Sequence, residues 1–269
     1  MLVSAVQMDV VAGDVRGNME RAYRLMQVAM RRGSRAILLP EMWSTGFYYS
    51  DLTGMARAAY EPTLAFLRNV AREAKAWILG SIPQPSPEGV YNAMHWVCPS
   101  GEIVAWYRKA HLFVPTGEDE RFAPGRQAPE VVDLEEARAG GLICFDIRFP
   151  EMARLLALGG AQLLFVPAQF PHPRADHWET LLKARAIENQ VWVVAANRVG
   201  ESGSQSYFGF SMVVDPWGRI VEGDDSEREG VVSAAVDLER VDEVRRRLPC
   251  PRRPDLYGNF APAEEDEAR

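Results

Sequence analysis

The chain has 269 residues, 47% of them hydrophobic and 25% charged, the profile of an ordinary globular protein. A formal net charge of -7 argues against non-specific binding to nucleic acid or anionic membrane, and no apolar run approaches the roughly 18 residues of a membrane-spanning helix. Cys98, Cys144 and Cys250 lie far apart with no Cys-x-x-Cys spacing, which excludes a recognisable zinc site or disulfide framework and suits a reducing cytoplasm.

The chain starts on the apolar run Leu2–Val6, with no basic segment or cleavage site, so no signal peptide is expected. Leu2 to Met8 reads as a buried strand, and Gly17 to Arg32 as a helix with Ala22, Leu25, Met26 and Ala29 on one face. Ala36 to Leu39 is a second apolar strand, ending at Pro40-Glu41. The aromatic-rich stretch Met42 to Tyr49 is expected to line a pocket. Leu64, Leu67, Ala71 and Ala74 mark another helix, Trp77 to Ile82 another strand, and Pro83 to Gly89 a loop. Two later segments, Val97 to Val104 and Val214 to Val221, share the pattern V-x-P-x-G-x-I-V, which fits a type I reversal between antiparallel strands and hints at two sheets with a similar hairpin in each.

The strand Ile103 to Tyr107 leads to Lys109 and then to the polar loop Pro115 to Glu120. The basic residues are almost all arginine, with lysine only at Lys75, Lys109 and Lys183, so a lysine here marks a place that could need a compact ammonium. Gly140 to Ile143 reads as a strand stopping at Cys144, followed by a tight turn into a helix with Pro150 at its first position. The glycine pair permits close packing before the cysteine. A helix starting nearby can stabilise a thiolate, although an isolated cysteine is more often a buried hydrophobe. Leu163 to Val166, Val191 to Ala196, Phe208 to Val214 and Val231 to Val236 supply further strands, and Trp178 to Asn189 and Leu238 to Arg247 further helices. No linker divides the chain. It reads as a single domain over 1–258, with a C-terminal tail at 259–269 expected to be mobile.

Strands alternating with helices imply a covered mixed sheet, with ligands gathering beyond the strands' carboxyl ends. Glu41, Lys109 and Cys144 each fall just after such an end. Their chemistry is complementary: a carboxylate among aromatics can take a thiol proton, and an ammonium with the backbone N–H of Phe145 can hold the charge that builds on an attacked carbonyl oxygen. Singly, each residue also has a structural reading, Glu41 as a cap and Lys109 as a solvated strand-end charge.

The runs Leu38-Leu39-Pro40-Glu41-Met42, Tyr107-Arg108-Lys109-Ala110-His111-Leu112-Phe113 and Leu142 through Cys144-Phe145-Asp146-Ile147-Arg148-Phe149-Pro150-Glu151 closely resemble the three signature blocks of the carbon–nitrogen hydrolase (nitrilase) superfamily, in that family's order. The resemblance runs from about Leu2 to Asp237. Pro167-Ala168-Gln169-Phe170-Pro171, the run His177 to Gln190, and Ala196-Asn197-Arg198-Val199-Gly200 resemble its omega-amidase branch.

The resemblance implies an α/β fold, a four-layer α-β-β-α sandwich with two mixed sheets covered by helices. It makes Cys144 the nucleophile, Glu41 the general base and Lys109 the oxyanion stabiliser, with Glu118 as a second glutamate and Glu120 its rival. Phe145, Arg148 and Gln169 are expected to contact substrate. Arg148 matches a carboxylate-gripping position of related N-carbamoyl amino acid hydrolases, and a structural tie to Glu151 is the competing reading. The implied reaction is hydrolysis of a small carboxylated amide such as 2-oxoglutaramate through a cysteine thioester, with no metal and no cofactor. N-carbamoyl hydrolysis, nitrile hydrolysis and a catalytically silent binding protein are the alternatives, with a thiol redox enzyme disfavoured because no resolving cysteine lies near Cys144 in the sequence. A cytoplasmic homodimer or higher homo-oligomer is expected, without nucleic-acid or membrane partners. His172 and His177 lack ligand spacing, Arg245 to Arg247 with Arg252 and Arg253 read as surface, and Asn189 and Asn197 read as partners of backbone groups.

Overall fold

The structure, a computed structural model, describes residues 1–257; the tail expected from residue 259 lies outside the described residues. The first half builds one layer pair. Strand β1 (Leu2–Gln7) leads to helix α1 (Val15–Arg31), β2 (Ala36–Leu38), α2 (Leu52–Ala74), β3 (Trp77–Ser86), β4 (Gly89–Val97) and β5 (Ile103–Arg108). The second half repeats the scheme with β6 (Val132–Asp133), β7 (Arg138–Gly141), α3 (Pro150–Leu158), β8 (Leu163–Ala168), α4 (Ala175–Asn189) and β9 (Trp192–Asn197). A hairpin of β10 (Val199–Ser202) and β11 (Gln205–Phe208) follows, then β12 (Ser211–Val214), β13 (Ile220–Asp224), β14 (Gly230–Ala235) and α5 (Glu239–Arg247). No helix of the described residues is long and apolar enough to cross a membrane.

The strands form two six-stranded mixed sheets, ordered β14-β1-β2-β3-β4-β5 and β13-β12-β9-β8-β7-β6. Period-two alternation explains the layering, because successive strand side chains point to opposite faces. In the first sheet Val3, Ala5, Ala36, Leu38 and Leu79 enter the large core shared with the second sheet. Their neighbours Val6, Ile37, Leu39 and Ile78 face a separate core roofed by α1 and α2, to which Ala22, Met26, Leu64 and Leu67 contribute. Leu156 of α3 and Trp178, Leu182 and Ala186 of α4 close the other side of the shared core. The result is the expected four-layer α-β-β-α sandwich.

The repeated V-x-P-x-G-x-I-V pattern does form one hairpin in each sheet. Gly101 and Gly218 donate to Cys98 O and Asp215 O at 2.8 Å, with φ of 82° and 79°. Three boundaries differ from the sequence expectation: the strand expected over Gly140–Ile143 is β7, ending at Gly141, and two others have a local cause. Pro83 and Pro85 belong to β3 and pair with Asn92 and Val90, not to a loop. They are tolerated because β2 pairs with β3 only as far as Leu79, and beyond it no strand of the described residues bonds that edge. The single strand expected over Phe208–Val214 is broken at Gly209 and Phe210, whose φ are 68° and 55°. A Cβ on Gly209 would lie 2.5 Å from Gln7 Cδ, so the chain kinks where β1 passes close.

Candidate active site

The cysteine turn is built from its glycines. A Cβ on Gly140 would lie 2.5 Å from Leu156 Cδ2, and one on Gly141 2.6 Å from Met94 Sδ, so bare backbone lets β7 sit between α3 and the first sheet. Cys144 then takes the left-handed conformation at φ 45°, a geometry that costs an ordinary residue about 1–2 kcal/mol. Pro150 opens α3 at its first position. Asp146, fully buried, over-determines the strained turn. Its Oδ2 accepts from the Ile143 N–H at 3.1 Å and the Tyr107 hydroxyl at 2.9 Å. Its Oδ1 accepts from the His111 N–H at 3.0 Å and from His111 Nδ1 at 2.9 Å. One carboxylate therefore fastens the cysteine turn to the segment that carries Lys109.

The other two charges arrive from strand ends at the same edge of the sandwich. Glu41 stands three residues beyond β2, next to Met42 at φ 46°, and Lys109 follows β5 directly. Lys109 Nζ donates to Glu41 Oε1 at 2.8 Å and to Glu118 Oε1 and Oε2 at 2.9 and 2.7 Å. Asn92 Nδ2 bridges the same two acids, at 2.8 Å to Glu41 and 3.3 Å to Glu118. Glu41 Oε2 accepts from the Gln169 N–H at 2.9 Å, and Glu118 Oε2 from the Phe113 N–H at 2.7 Å. The partner of Lys109 is thus Glu118, because the Glu120 side chain is 75% exposed and pairs with Arg121 instead.

Burial and neighbouring charges together shift the titrating groups. Burial opposes the Lys109 charge, but Glu118 and Glu41 outweigh it and hold the ammonium well above its ordinary value. Burial also raises Glu118, against the pull of Lys109. The Cys144 thiol is pushed well above its ordinary value by burial and then by the facing Glu41 carboxylate, with Lys109 opposing. The resting site therefore holds a thiol, an ammonium and carboxylate density in excess of it. Such a site can attack a carbonyl carbon only as the proton passes to Glu41, and it can receive the oxyanion on Lys109.

These groups floor a cavity of about 330 Å³ walled by aromatic rings, among them Phe47 and Tyr49 of the loop expected to line a pocket, with Phe113, Phe145 and Phe170. Phe145 and Arg148 border it, the latter half-buried at its mouth. Among the described residues Arg148 has no carboxylate partner; Glu151 does not bind it, and its Nη2 lies 3.1 Å from His177 Nδ1. Gln169 faces the cavity and is also engaged with the protein around it. Its Nε2 donates to Glu41 O at 2.8 Å and its Oε1 accepts from Arg198 Nη1 at 3.2 Å. Through these two bonds it braces Glu41 from the cavity wall. Asn197 holds backbone, as expected: its Oδ1 accepts from Phe170 N–H, and its Nδ2 donates to Phe170 O and Gly209 O.

The sequence alone assigns no role to Asn92, Asp146, Arg198 or Arg174. Arg198 is fully buried, paired with Asp9 at 2.8 Å and stacked over Tyr207 at 4.3 Å. The available signal for Asn92 was one amide inside the apolar strand Val90 to Val97. For Asp146 it was an acid flanked by Phe145 and Ile147.

Residues 2–246 match the family model described as carbon-nitrogen hydrolase. A 2-oxoglutaramate amidase of Bacillus subtilis is 35% identical over 258 residues, covering 95% of this chain and 98% of that protein. Omega-amidase NIT2-A of Xenopus laevis is 34% identical over 268 residues, covering 95% and 94%. Among solved structures, a CN-hydrolase superfamily protein from Xanthomonas campestris, with an arsenic adduct in its active site, superposes with a TM-score of 0.85 at 32% identity, covering 96% of this chain and 97% of that one.

Proposed function

The chain belongs to the carbon–nitrogen hydrolase family and is an amide C–N hydrolase; from that premise we propose an omega-amidase that works through a Cys144 thioester. Cys144 attacks the amide carbon as its proton passes to Glu41. Lys109 and the Phe145 N–H hold the oxyanion, an arrangement whose single donors typically contribute ~3–4 kcal/mol to lowering the barrier. Glu41 returns the proton to the nitrogen and ammonia leaves. Water then attacks the thioester, giving up its proton to Glu41, and the acid is released with the thiol restored.

Glu118 holds Lys109 in place and keeps it charged through both steps. Asn92 and Gln169 keep Glu41 aimed. The observation that carries the reading is the convergence of Glu41, Lys109 and Glu118 on Cys144 at the floor of one cavity. The preferred substrates are small amides with a distal carboxylate, 2-oxoglutaramate among them. Two features support them, the Arg148 guanidinium without a carboxylate partner and the named activities of the two relatives.

The test is ammonia release across omega-amides, N-carbamoyl amino acids, aliphatic amides and nitriles, with Cys144→Ala as control. Preference for 2-oxoglutaramate over butyramide is expected. Carbon dioxide release from N-carbamoyl substrates, or nitrile turnover above amide turnover, would overturn the assignment.

A further inference from the structure

The cavity is electrically lopsided. At its floor two carboxylates face one ammonium, all of them buried. At its mouth stand two guanidiniums, Arg148 and Arg174, both half-buried. Arg174 sits at the N-cap position of α4, and its guanidinium lies 5.2 Å from the centre of the Phe113 ring. Arg148 lies 5.8 Å from the Phe145 ring centre and 5.4 Å from that of Phe170. Ring faces hold both cations without neutralising them. Among the described residues neither has a carboxylate partner, and the only acids bordering the cavity are Glu41 and Glu118, already engaged by Lys109. Burial and the charge of Arg174 both press the Arg148 pKa down, so the two cations feel one another.

We propose that Arg174 is a specificity-determining residue that, with Arg148, makes the mouth of the cavity an anion-only subsite. The two ends then sort a substrate by charge. The neutral amide goes to the negative floor, where a carboxylate would be repelled, and the carboxylate goes to the paired guanidiniums. An amide whose far end also bears an ammonium, as in a 2-amino acid, places a cation beside two cations and is disfavoured, whereas its 2-oxo counterpart is accepted. The proposal rests on the amide-hydrolase reading for the sorting of substrates, but not for the anion subsite itself.

Two measurements on the full chain test it, with Arg174→Gln and Arg174→Lys. In the first, kcat/KM is compared for succinamate against butyramide and for 2-oxoglutaramate against glutamine. Arg174→Gln should raise KM for succinamate roughly 10- to 100-fold, the range for one charge-assisted bond, and should shrink both selectivity ratios by a similar factor. Arg174→Lys should fall between it and the wild type. In the second, pentanoate, pentanol and pentylamine compete with iodoacetamide for Cys144, read by mass spectrometry of the Cys144 peptide. Pentanoate should protect the wild type best, pentylamine least, and Arg174→Gln should need about tenfold more pentanoate.

Unchanged ratios with unchanged protection would overturn the anion subsite, as would pentanol protecting the wild type as well as pentanoate. Absence of amide turnover, with pentanoate protection still lost in Arg174→Gln, would sink the amidase reading and leave the subsite standing.

Discussion

Cys144 carries two costs at once, a left-handed backbone and a thiol held protonated by burial and Glu41. Both fit the proposed role of a nucleophile that stands out of its strand and reacts only with its base. Cys144→Ala should abolish ammonia release while leaving the fold intact by circular dichroism. Cys144→Gly should be more stable than Cys144→Ala in urea by about 1 kcal/mol, since glycine takes φ 45° freely. Equal stability would show that the turn is not strained. Lys109→Met should lower kcat roughly 100- to 1,000-fold through loss of the oxyanion donor. The pH profile follows from the same shifts. Glu118, raised by burial, must be ionised to hold Lys109, so kcat/KM should fall on the acid side with a midpoint above the ordinary 4.5. Neither Cys144 nor Lys109 titrates at its ordinary value, so no alkaline limb centred near 9.0 is expected; an inflection there in iodoacetamide labelling of Cys144 would contradict the protonated resting thiol.

At the level of elements, β7 can deliver Cys144 only because its last two residues have no side chains. Gly141→Val would drive a branched side chain into Met94 and Trp96 and should cost about 1–3 kcal/mol in urea unfolding, with activity falling further than stability as the turn shifts. Full activity in a folded Gly141→Val protein would refute this account of the turn. Strand β4 carries a second consequence. His95 is buried between the sheet and α2, where its ring meets the Tyr60 hydroxyl at 3.1 Å and Ala93 O at 3.1 Å. Burial lowers its pKa from 6.5 to about 4. The folded protein therefore keeps His95 neutral where the unfolded chain takes up a proton. Its share of stability is full above pH 6.5 and is lost as pH falls towards 4, up to about 3 kcal/mol. His95→Gln should flatten that part of the pH dependence of the urea midpoint; an unchanged slope between pH 7 and 5 would exclude His95 as its source.

On the scale of the whole molecule, the homodimer or larger assembly expected from the family resemblance stands as a proposal. Light scattering should return a multiple of one chain's mass, and a single-chain mass at micromolar concentration would end it. The sequence by itself determined that covered strands alternate with helices, because buried apolar runs such as Ala36 to Leu39 and Leu163 to Val166 can be read without knowing their partners, and the family resemblance supplied the four layers. It also singled out Glu41, Lys109 and Cys144 as polar residues just past strand ends, and the family resemblance supplied their expected roles. It left Glu118 and Glu120 open, since two acids in one loop differ only in which of them the loop folds inward. Only the tertiary structure decided that choice, tied Gln169 to Glu41, and brought Asn92, Asp146, Arg174 and Arg198 to the site. The physical reason is separation along the chain: Gln169 reaches Glu41 across 128 positions and Arg198 reaches Asp9 across 189, and no local pattern of hydrophobicity or turn chemistry records a hydrogen bond of that span.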